Sequence, residues 1–213
     1  HSHSQSHSQT QRMRKARGLI AKTITDPATL SLPPYYPDLP AVRNDLARHY
    51  DNIHAMDQRV GEILQALQED GLADSTLVIW TSDHGDGLPR AKRELFDSGI
   101  RVPMLMRHPG QHTATTDRRL VSFVDLAPTL FGIAGGQNPP NYWHGVNFLN
   151  GDSPPREYIY ASRDRIDEIT DRQRAIRNRR FKYIRSYYPQ VPGGHPLDYR
   201  DNLDMVRAWR SEF

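Results

Sequence analysis

The sequence predicts an α/β fold with a mostly parallel sheet flanked by helices, followed by a small antiparallel sheet. Three observations support this prediction. Apolar residues recur at helical spacing over residues 46–67, two short apolar runs rich in β-forming residues follow, and the last third contains short strand-like segments. Alternating helices and buried strands are typical of layered α/β domains, and short strands in series are typical of antiparallel sheets.

The 213 residues divide into three parts by composition. Residues 1–29 begin with the low-complexity stretch HSHSQSHSQTQ and are predicted to be poorly ordered. Residues 30–140 are predicted to form the α/β part and residues 141–213 the antiparallel part. We place the boundary there because the character of the sequence changes after Asn138-Pro139-Pro140.

Composition excludes several kinds of protein. The chain contains no cysteine, which excludes disulfides, a thiolate nucleophile and cysteine-ligated zinc. No apolar run is long enough to span a membrane, and no secretory signal is recognisable near residue 1. The formal net charge is only +3, but basic residues concentrate between Arg163 and Arg185. Such a concentration indicates either an anionic partner or a solvated strand surface.

A long helix is the first predicted element of the α/β part. It follows the proline-rich connector Leu30–Pro40, with Asp38 as the expected N-cap and Pro40 in the first turn. Gly71 is expected just after its last turn. Its apolar stripe consists of Leu46, Tyr50, Ile53, Val60, Ile63, Leu64 and Leu67.

Four further segments have the composition of strands. The predicted strands are residues 76–81, 102–106, 157–162 and 175–187. The first two are continuously apolar, which predicts buried parallel strands, and the last is expected to bend into a pair around residues 178–180. Between the two groups, residues 125–134 are predicted to form a helix that ends at Gly135-Gly136.

The residues that follow the first strand have the chemistry of a ligand site. Asp83 and His84 come directly after that strand, and the carboxyl ends of strands are where α/β sheets bind ligands. A carboxylate beside an imidazole can bind a divalent cation. Gly85 and Gly87 are expected to let the backbone turn tightly there. The alternative is an ordinary turn stabilised by Asp83 with an exposed histidine.

A longer ordered string makes this segment specific. The residues TSDHGDGLPRAKRELFDSGIRVPMLMRHPG resemble the signature of the sulfatase family, in the alkaline-phosphatase superfamily, with Lys92 five residues before Asp97. The segment Leu88–Lys92 is most similar to the N-sulfoglucosamine sulfohydrolase-like (heparan N-sulfatase-like) branch. Four further stretches resemble the same family, namely residues 39–67, 121–135, 161–168 and 177–184.

The resemblance implies a partial alkaline-phosphatase-like sandwich and a half-complete site. Asp83 and His84 would bind a divalent cation, with calcium expected, although His84 stands where many relatives have asparagine. Oxygen ligands suit calcium better than an imidazole does. Lys92 would direct its ammonium group at a sulfate oxygen, where it stabilises developing negative charge.

The nucleophile of the family has no counterpart among these residues. Sulfatases use a formylglycine made from Cys or Ser in a Cys/Ser-x-Pro-x-Arg motif, and Ser153-Pro154-Pro155-Arg156 has the wrong spacing. Two further aspartate ligands and an upstream His-Lys region of the family are also missing. We therefore expect the isolated chain to lack measurable sulfatase activity, because residues that act together in catalysis are not additive.

A charged cluster in the last part is the candidate substrate-binding region. Its members are Arg163, Asp164, Arg165, Asp167 and Glu168. The resemblance implies a sulfated small molecule or saccharide as the ligand, and a periplasmic or secreted location. Such charges can recognise hydroxyl, N-sulfate or carboxylate groups of a sugar. The alternative is a surface network of ion pairs that contributes little to binding or to stability.

Three other functions stay open at this point. A phosphoesterase of the same superfamily would need a second metal-binding histidine, for which His108 and His112 are candidates. A non-catalytic sulfatase-like binding module is the second. The third, nucleic-acid binding through residues 177–182 with Phe181 available to stack, is not favoured, because one short basic run is common on edge strands.

Overall fold

The computed structural model describes residues 24–110, 113–151, 153–167, 169–191 and 193–212. The predictions for residues 1–23, His112 and Glu168 therefore lie outside the described residues. The described residues fall into two compact units. Those within His1–His112, Ile166–Ile169 and Pro192–Phe213 form the first unit, and those within Thr113–Arg165 and Thr170–Val191 form the second. The predicted division into residues 1–29, 30–140 and 141–213 stays a prediction.

Helix α1 (Pro40–Glu69) is the longest element of the first unit, as the apolar stripe predicts. Gly71 adopts a left-handed φ of 67° just beyond it, which confirms its predicted place. The N-cap prediction was wrong, because Leu39 occupies that position without a capping side chain. The Asp38 carboxylate instead accepts a hydrogen bond from Arg43 Nη2 at 2.8 Å.

The core of the first unit lies at the beginning of α1. Val42 and Leu46 are buried there against Met205 and Val206 of helix α5 (Asp204–Ser211), together with Tyr36, Leu88 and Leu203. Farther along the predicted stripe, Ile53 is 37% exposed and Ile63 is 59% exposed. Burial of the stripe among the described residues is therefore confined to its first turns.

A buried carboxylate connects α1 to α5. Asp45 is 1% exposed, and its Oδ2 accepts a hydrogen bond at 2.8 Å from the backbone N–H of Met205 in the first turn of α5. Arg48 contacts the other oxygen at 3.1 Å. Because the N-cap residue of α5, Leu203, has no side-chain acceptor, Asp45 satisfies an otherwise unpaired helix N–H from a distant part of the chain.

We expect Asp45→Ala to lower the free energy of unfolding by about 2–3 kcal/mol, because it removes a charged acceptor from a buried amide. Urea unfolding followed by circular dichroism measures this change. Asp57→Ala is the matched control, since Asp57 is an exposed aspartate on the same helix, and its effect should stay within about 0.5 kcal/mol. Equal effects of the two variants would contradict the role assigned to Asp45.

Strands β1 (Val78–Thr81) and β2 (Met104–Arg107) confirm both apolar runs as strands. Their predicted burial was wrong, because β1 is only half-buried and Leu105 of β2 is 66% exposed. Their predicted parallel pairing was wrong, because they pair antiparallel, with Thr81 opposite Met104 and Val78 opposite Arg107. A parallel pair needs a crossover, usually a helix packed on the sheet. Residues 82–103 contain only the one-turn helix α2 (Asp97–Ile100), so the chain returns beside β1.

The second unit contains a three-stranded antiparallel sheet, as the sequence predicts. Its strands are β3 (Ile159–Ile166), β4 (Ile169–Arg177) and β5 (Lys182–Ser186), in that order across the sheet. The predicted bend at residues 178–180 is confirmed, because Asn178 N–H donates to the carbonyl of Phe181 at 2.9 Å. The sequence missed the hairpin between β3 and β4, which turns at Asp167 with a φ of 47°.

Helix α3 (Leu126–Ile133) of the second unit confirms the predicted helix, and Gly135 follows it with a φ of 81°. Asp125 is fully buried before its first residue. Its carboxylate accepts hydrogen bonds from Arg156 Nε at 2.7 Å and from Val146 N–H at 2.9 Å. Together with the short helix α4 (Asp198–Asp201) of the first unit, these elements confirm the α/β class with a small antiparallel sheet. None of the helices among the described residues has the length and apolarity to cross a membrane.

Candidate active site

The candidate site lies in the loop between β1 and β2, residues 82–103. Contacts within the first unit hold this loop in place. His49, a buried residue of α1, contacts the Asp86 carboxylate at 3.2 Å. Tyr36 donates its hydroxyl proton to the carbonyl of Pro89 at 2.9 Å, and Lys92 N–H donates to the carbonyl of Asp86 at 2.9 Å. The loop is therefore anchored at Asp86 and Pro89, on either side of the leucine that enters the core.

Two glycines allow the two arms of the loop to touch. Gly85 N–H donates to the carbonyl of Gly99 at 2.9 Å. A Cβ atom at Gly85 would lie 1.7 Å from the carbonyl oxygen of Ser98, and one at Gly99 would lie 2.3 Å from the carbonyl oxygen of Ala91. The sequence assigned Gly85 to a tight turn, whereas the structure shows that close approach of two backbones is the reason for it.

Asp83 and His84 lie side by side, as the sequence predicts. His84 Nε2 is 3.6 Å from Asp83 Oδ2, and His84 Nδ1 is 2.6 Å from the carbonyl oxygen of Gly85. A carbonyl cannot donate a hydrogen bond, so this contact places the imidazole proton on Nδ1. Nε2 is the ring nitrogen that lies near the Asp83 carboxylate, so the two side chains are close enough to contact one cation.

The Asp83–His84 pair is too small to hold a metal ion by itself. Where the structure describes the chain, it contains no group of three or more His, Cys, Asp or Glu side chains arranged to hold a metal. Calcium requires six to eight oxygen ligands, and a structural zinc requires four ligands. Asp83 and His84 therefore supply at most two of the ligands that such a cation requires.

Aromatic and charged groups surround Lys92, which lies farther along the same loop. Its Nζ is 5.6 Å from the ring centroid of Tyr199, and the guanidinium of Arg93 lies 4.9 Å from the same ring. Burial lowers the pKa of the Lys92 ammonium, and Arg93 adds to this shift, whereas the carboxylates of Asp83 and Asp167 raise it. Because the Asp83 carboxylate raises the pKa of Lys92, these two predicted site residues interact electrostatically.

Sequence reasoning missed Arg93 and Tyr199. Arg93 forms an ion pair with Asp167, and it adopts a left-handed φ of 69°, a conformation that is uncommon outside glycine. Arg90 has a similar φ of 64°, so strained backbone flanks Lys92 on both sides. No signal in the sequence connects Tyr199 to Lys92, because it lies far along the chain in α4.

The members of the predicted substrate-binding cluster belong to both units. Asp167 lies in the first unit beside Arg93. Arg163, Asp164 and Arg165 are residues of β3 in the second unit, where Arg163 forms a buried ion pair with Asp171. Asp164 contacts Arg174 Nη2 at 2.8 Å and Arg172 Nε at 3.3 Å. The role of the cluster in substrate binding stays a prediction.

His108, the candidate second metal ligand, lies far from Asp83 and His84. It follows Arg107, which pairs with Val78 at the beginning of β1, whereas Asp83 follows the other end of that strand. Three residues of strand separate the two ends by about 10 Å, before the flanking residues are added. His108 is exposed, and its Nδ1 is 2.8 Å from the carbonyl oxygen of Pro109.

Two family models match the chain. The model described as Sulfatase matches residues 1–136, and the model described as N-sulphoglucosamine sulphohydrolase, C-terminal, matches residues 90–192. The first match includes Asp83, His84 and Lys92, and both include Lys92. The second match ends before helices α4 and α5.

Known proteins are similar over much of the chain. An Ulvan-active sulfatase of Formosa agariphila is 44% identical over 179 residues, which are 83% of this chain and 30% of that protein. The phosphonate monoester hydrolase of Agrobacterium radiobacter matches 68% of this chain and 33% of its own, with a TM-score of 0.57 and 29% identity. A protein solved in complex with its substrate D-glucosamine-2-N,6-O-disulfate has the same fold, with a TM-score of 0.54 at 23% identity over 92% of this chain and 40% of that one. The chain thus spans about a third of the length of these proteins.

Proposed function

This chain belongs to the sulfatase family, and we propose that its residues supply the Lys92 half of the active site of an enzyme that hydrolyses sulfate esters or N-sulfates on a sulfated saccharide. The loop 82–103 is the observation that supports this proposal. It holds a carboxylate–imidazole pair and a half-buried ammonium group on one connected segment. The disulfated sugar bound by a protein of the same fold supports the class of substrate.

Lys92 would stabilise the charge that develops during sulfate transfer. The sulfuryl oxygens and the departing oxygen are negative in the transition state, and a fixed cation beside them lowers the barrier. Tyr199 contacts the ammonium group through its ring, which supplies attraction without an opposing full charge. Asp83 and Asp167 favour the charged form of Lys92, so they counter the effect of burial on its pKa.

Asp83 and His84 would hold a divalent cation, with calcium as our first expectation. When bound, the cation supplies positive charge to the sulfate oxygens and orients that group for attack. The contact of His84 Nδ1 with the Gly85 carbonyl orients the ring so that Nε2 lies on the side of Asp83. The remaining ligands and the formylglycine nucleophile would come from family residues that these 213 positions do not contain. A periplasmic or secreted location stays an expectation.

A chimeric enzyme, which we call the joined enzyme, tests this function. Residues 24–212 of this chain replace the matching part of the Formosa agariphila sulfatase, which is 44% identical over 179 residues. We expect this joined enzyme to release inorganic sulfate from D-glucosamine-2-N,6-O-disulfate or ulvan oligosaccharides, measured by ion chromatography. The isolated chain should release none. A correctly folded joined enzyme that releases no sulfate from either substrate would contradict the proposal.

Hydrolysis of a phosphonate monoester is the second candidate. The phosphonate monoester hydrolase of the same fold favours it. His108 follows the end of β2 that is farther from Asp83 and His84, which argues against His108 as a second histidine ligand. The same joined enzyme is also supplied with phenyl phenylphosphonate. The faster of the two reactions, release of phenylphosphonate or release of sulfate, distinguishes the two candidates.

A further inference from the structure

The exposed face of the three-stranded sheet in the second unit is rich in arginine and tyrosine. We call it the arginine–tyrosine face, and it consists of Tyr160, Asp164, Arg172, Arg174, Tyr183, Arg185 and Tyr187. Tyr160 is 70% exposed and Tyr183 is 64% exposed. Exposed tyrosines of this size on one face of a sheet are unusual for a solvated surface and indicate a binding site.

Strand geometry places these residues on one side. In β4, Asp171 and Ala175 are buried, whereas Arg172 and Arg174 alternate with them and are directed to the other face. Arg174 pairs with Arg185 across the β4–β5 ladder, and directly paired residues share a face. Asp164 of β3 contacts both Arg172 and Arg174, which places it on that face as well.

The face carries more positive charge than negative charge. Arg172 and Arg174 share one carboxylate, Asp164, and Arg185 adds a third guanidinium. Like charges directly opposite each other in a sheet destabilise it, yet Arg174 and Arg185 are such a pair. An anionic ligand on this face would relieve the repulsion between them.

The tyrosines also fix the direction of the guanidinium groups. Arg185 stacks over the ring of Tyr187 at 4.7 Å from its centroid, and Arg172 approaches the same ring at 6.0 Å. Stacking of this kind restrains long side chains before a ligand arrives, which reduces the entropy lost on binding. The face therefore presents oriented hydrogen-bond donors beside flat apolar rings.

We propose that the arginine–tyrosine face binds a sulfated polysaccharide, at a site separate from the Lys92 loop. Guanidinium groups match the oxygens of a sulfate group with two parallel hydrogen bonds, and tyrosine rings pack against the C–H faces of sugar rings. A flat sheet face of this kind accommodates an extended chain. The choice of a sulfated sugar over another polyanion rests on the proposed function of this chain.

Binding of a heparin hexasaccharide to the full chain, measured by isothermal titration calorimetry, tests this site. Arg185→Ala should weaken binding by about tenfold, which corresponds to the loss of one charge-assisted hydrogen bond. Asp164→Asn should tighten binding, because it removes the carboxylate that Arg172 and Arg174 share while its remaining amide oxygen can still accept from Arg174. Tyr183→Ala should weaken binding by a smaller factor.

Matched variants and ligands distinguish binding at the arginine–tyrosine face from binding elsewhere on the chain. Arg59→Ala removes one exposed arginine from α1, so it should not change heparin binding. Desulfated, N-acetylated heparin keeps its carboxylates and should bind at least tenfold more weakly. Unchanged affinity of both Arg185→Ala and Asp164→Asn would overturn the proposal.

Two other results would also reject the arginine–tyrosine face as the site that binds a sulfated polysaccharide. Loss of heparin binding in Lys92→Ala alone would place the ligand at the Lys92 loop, which supports the proposed function and rejects the second site. Equal or tighter binding of a single-stranded oligonucleotide of matched charge would instead identify a nucleic acid as the ligand. Retained binding with an inactive joined enzyme would leave the second site standing and reject the proposed function.

Discussion

Lys92→Ala in the joined enzyme is expected to lower kcat for sulfate release by about 100- to 1,000-fold, with a smaller change in KM. Removal of one group that stabilises transition-state charge has effects of this size. The loss should appear in kcat because the sulfuryl group acquires its greatest charge on the oxygens only as the bond breaks. Stopped assays of sulfate release at several substrate concentrations measure both constants.

Lys182→Ala is the matched control for this prediction. It removes the other lysine that the structure describes, at the beginning of β5, and activity should stay within about twofold of the joined enzyme. Lys92→Arg tests geometry, since the bulkier guanidinium cannot occupy the same position over Tyr199 and should restore only part of the activity. A Lys92→Ala enzyme with unchanged kcat would exclude Lys92 from the chemistry.

Gly85→Ala is expected to lower the free energy of unfolding by about 3 kcal/mol and to abolish activity of the joined enzyme. The added Cβ would lie 1.7 Å from the carbonyl oxygen of Ser98, so the two arms of the loop must separate. Overpacking against backbone, which cannot rotate away as a side chain can, belongs to the costly class of substitutions. Separation of the arms would also move Asp83 and His84, which precede Gly85 directly.

Gly61→Ala is the control for this effect. A Cβ at Gly61 meets nothing within 4 Å, and the residue lies inside helix α1. The alanine should therefore raise the free energy of unfolding by about 0.5–1 kcal/mol, since glycine is unfavourable within helices. Urea unfolding of both variants provides the comparison, and a Gly85→Ala protein as stable as Gly61→Ala would contradict the close contact.

The local features of the fold could be read from the sequence. Helix α1, both apolar strands, helix α3 and the bend after β4 follow from periodicity, from β-forming runs and from glycine or asparagine at turns. The antiparallel pairing of β1 and β2 could not, because an apolar run looks the same in either direction and the connecting loop is long enough for a crossover. The N-cap prediction at Asp38 failed because the Asp38 carboxylate binds Arg43 instead of a backbone N–H of helix α1.

The candidate site was predictable where its residues are adjacent in sequence. Asp83, His84 and Lys92 lie on one loop, and the resemblance of residues 81–110 to the sulfatase signature indicated them. Tyr199 could not be found, because its contact with Lys92 depends on how the end of the chain packs within the first unit. The assignment of Gly85 to a turn was reasonable for its neighbours, but only the structure shows the carbonyl of Ser98 facing it.

A crystal structure of the joined enzyme with calcium and inorganic sulfate is the most direct test of the Asp83–His84–Lys92 half-site. We expect an ion within about 2.3–2.6 Å of an Asp83 oxygen, with His84 Nε2 as a neighbouring ligand. We also expect Lys92 Nζ within about 3 Å of an oxygen of sulfate beside that ion. An ion held without Asp83 and His84, or a sulfate with Lys92 directed away from it, would contradict the half-site.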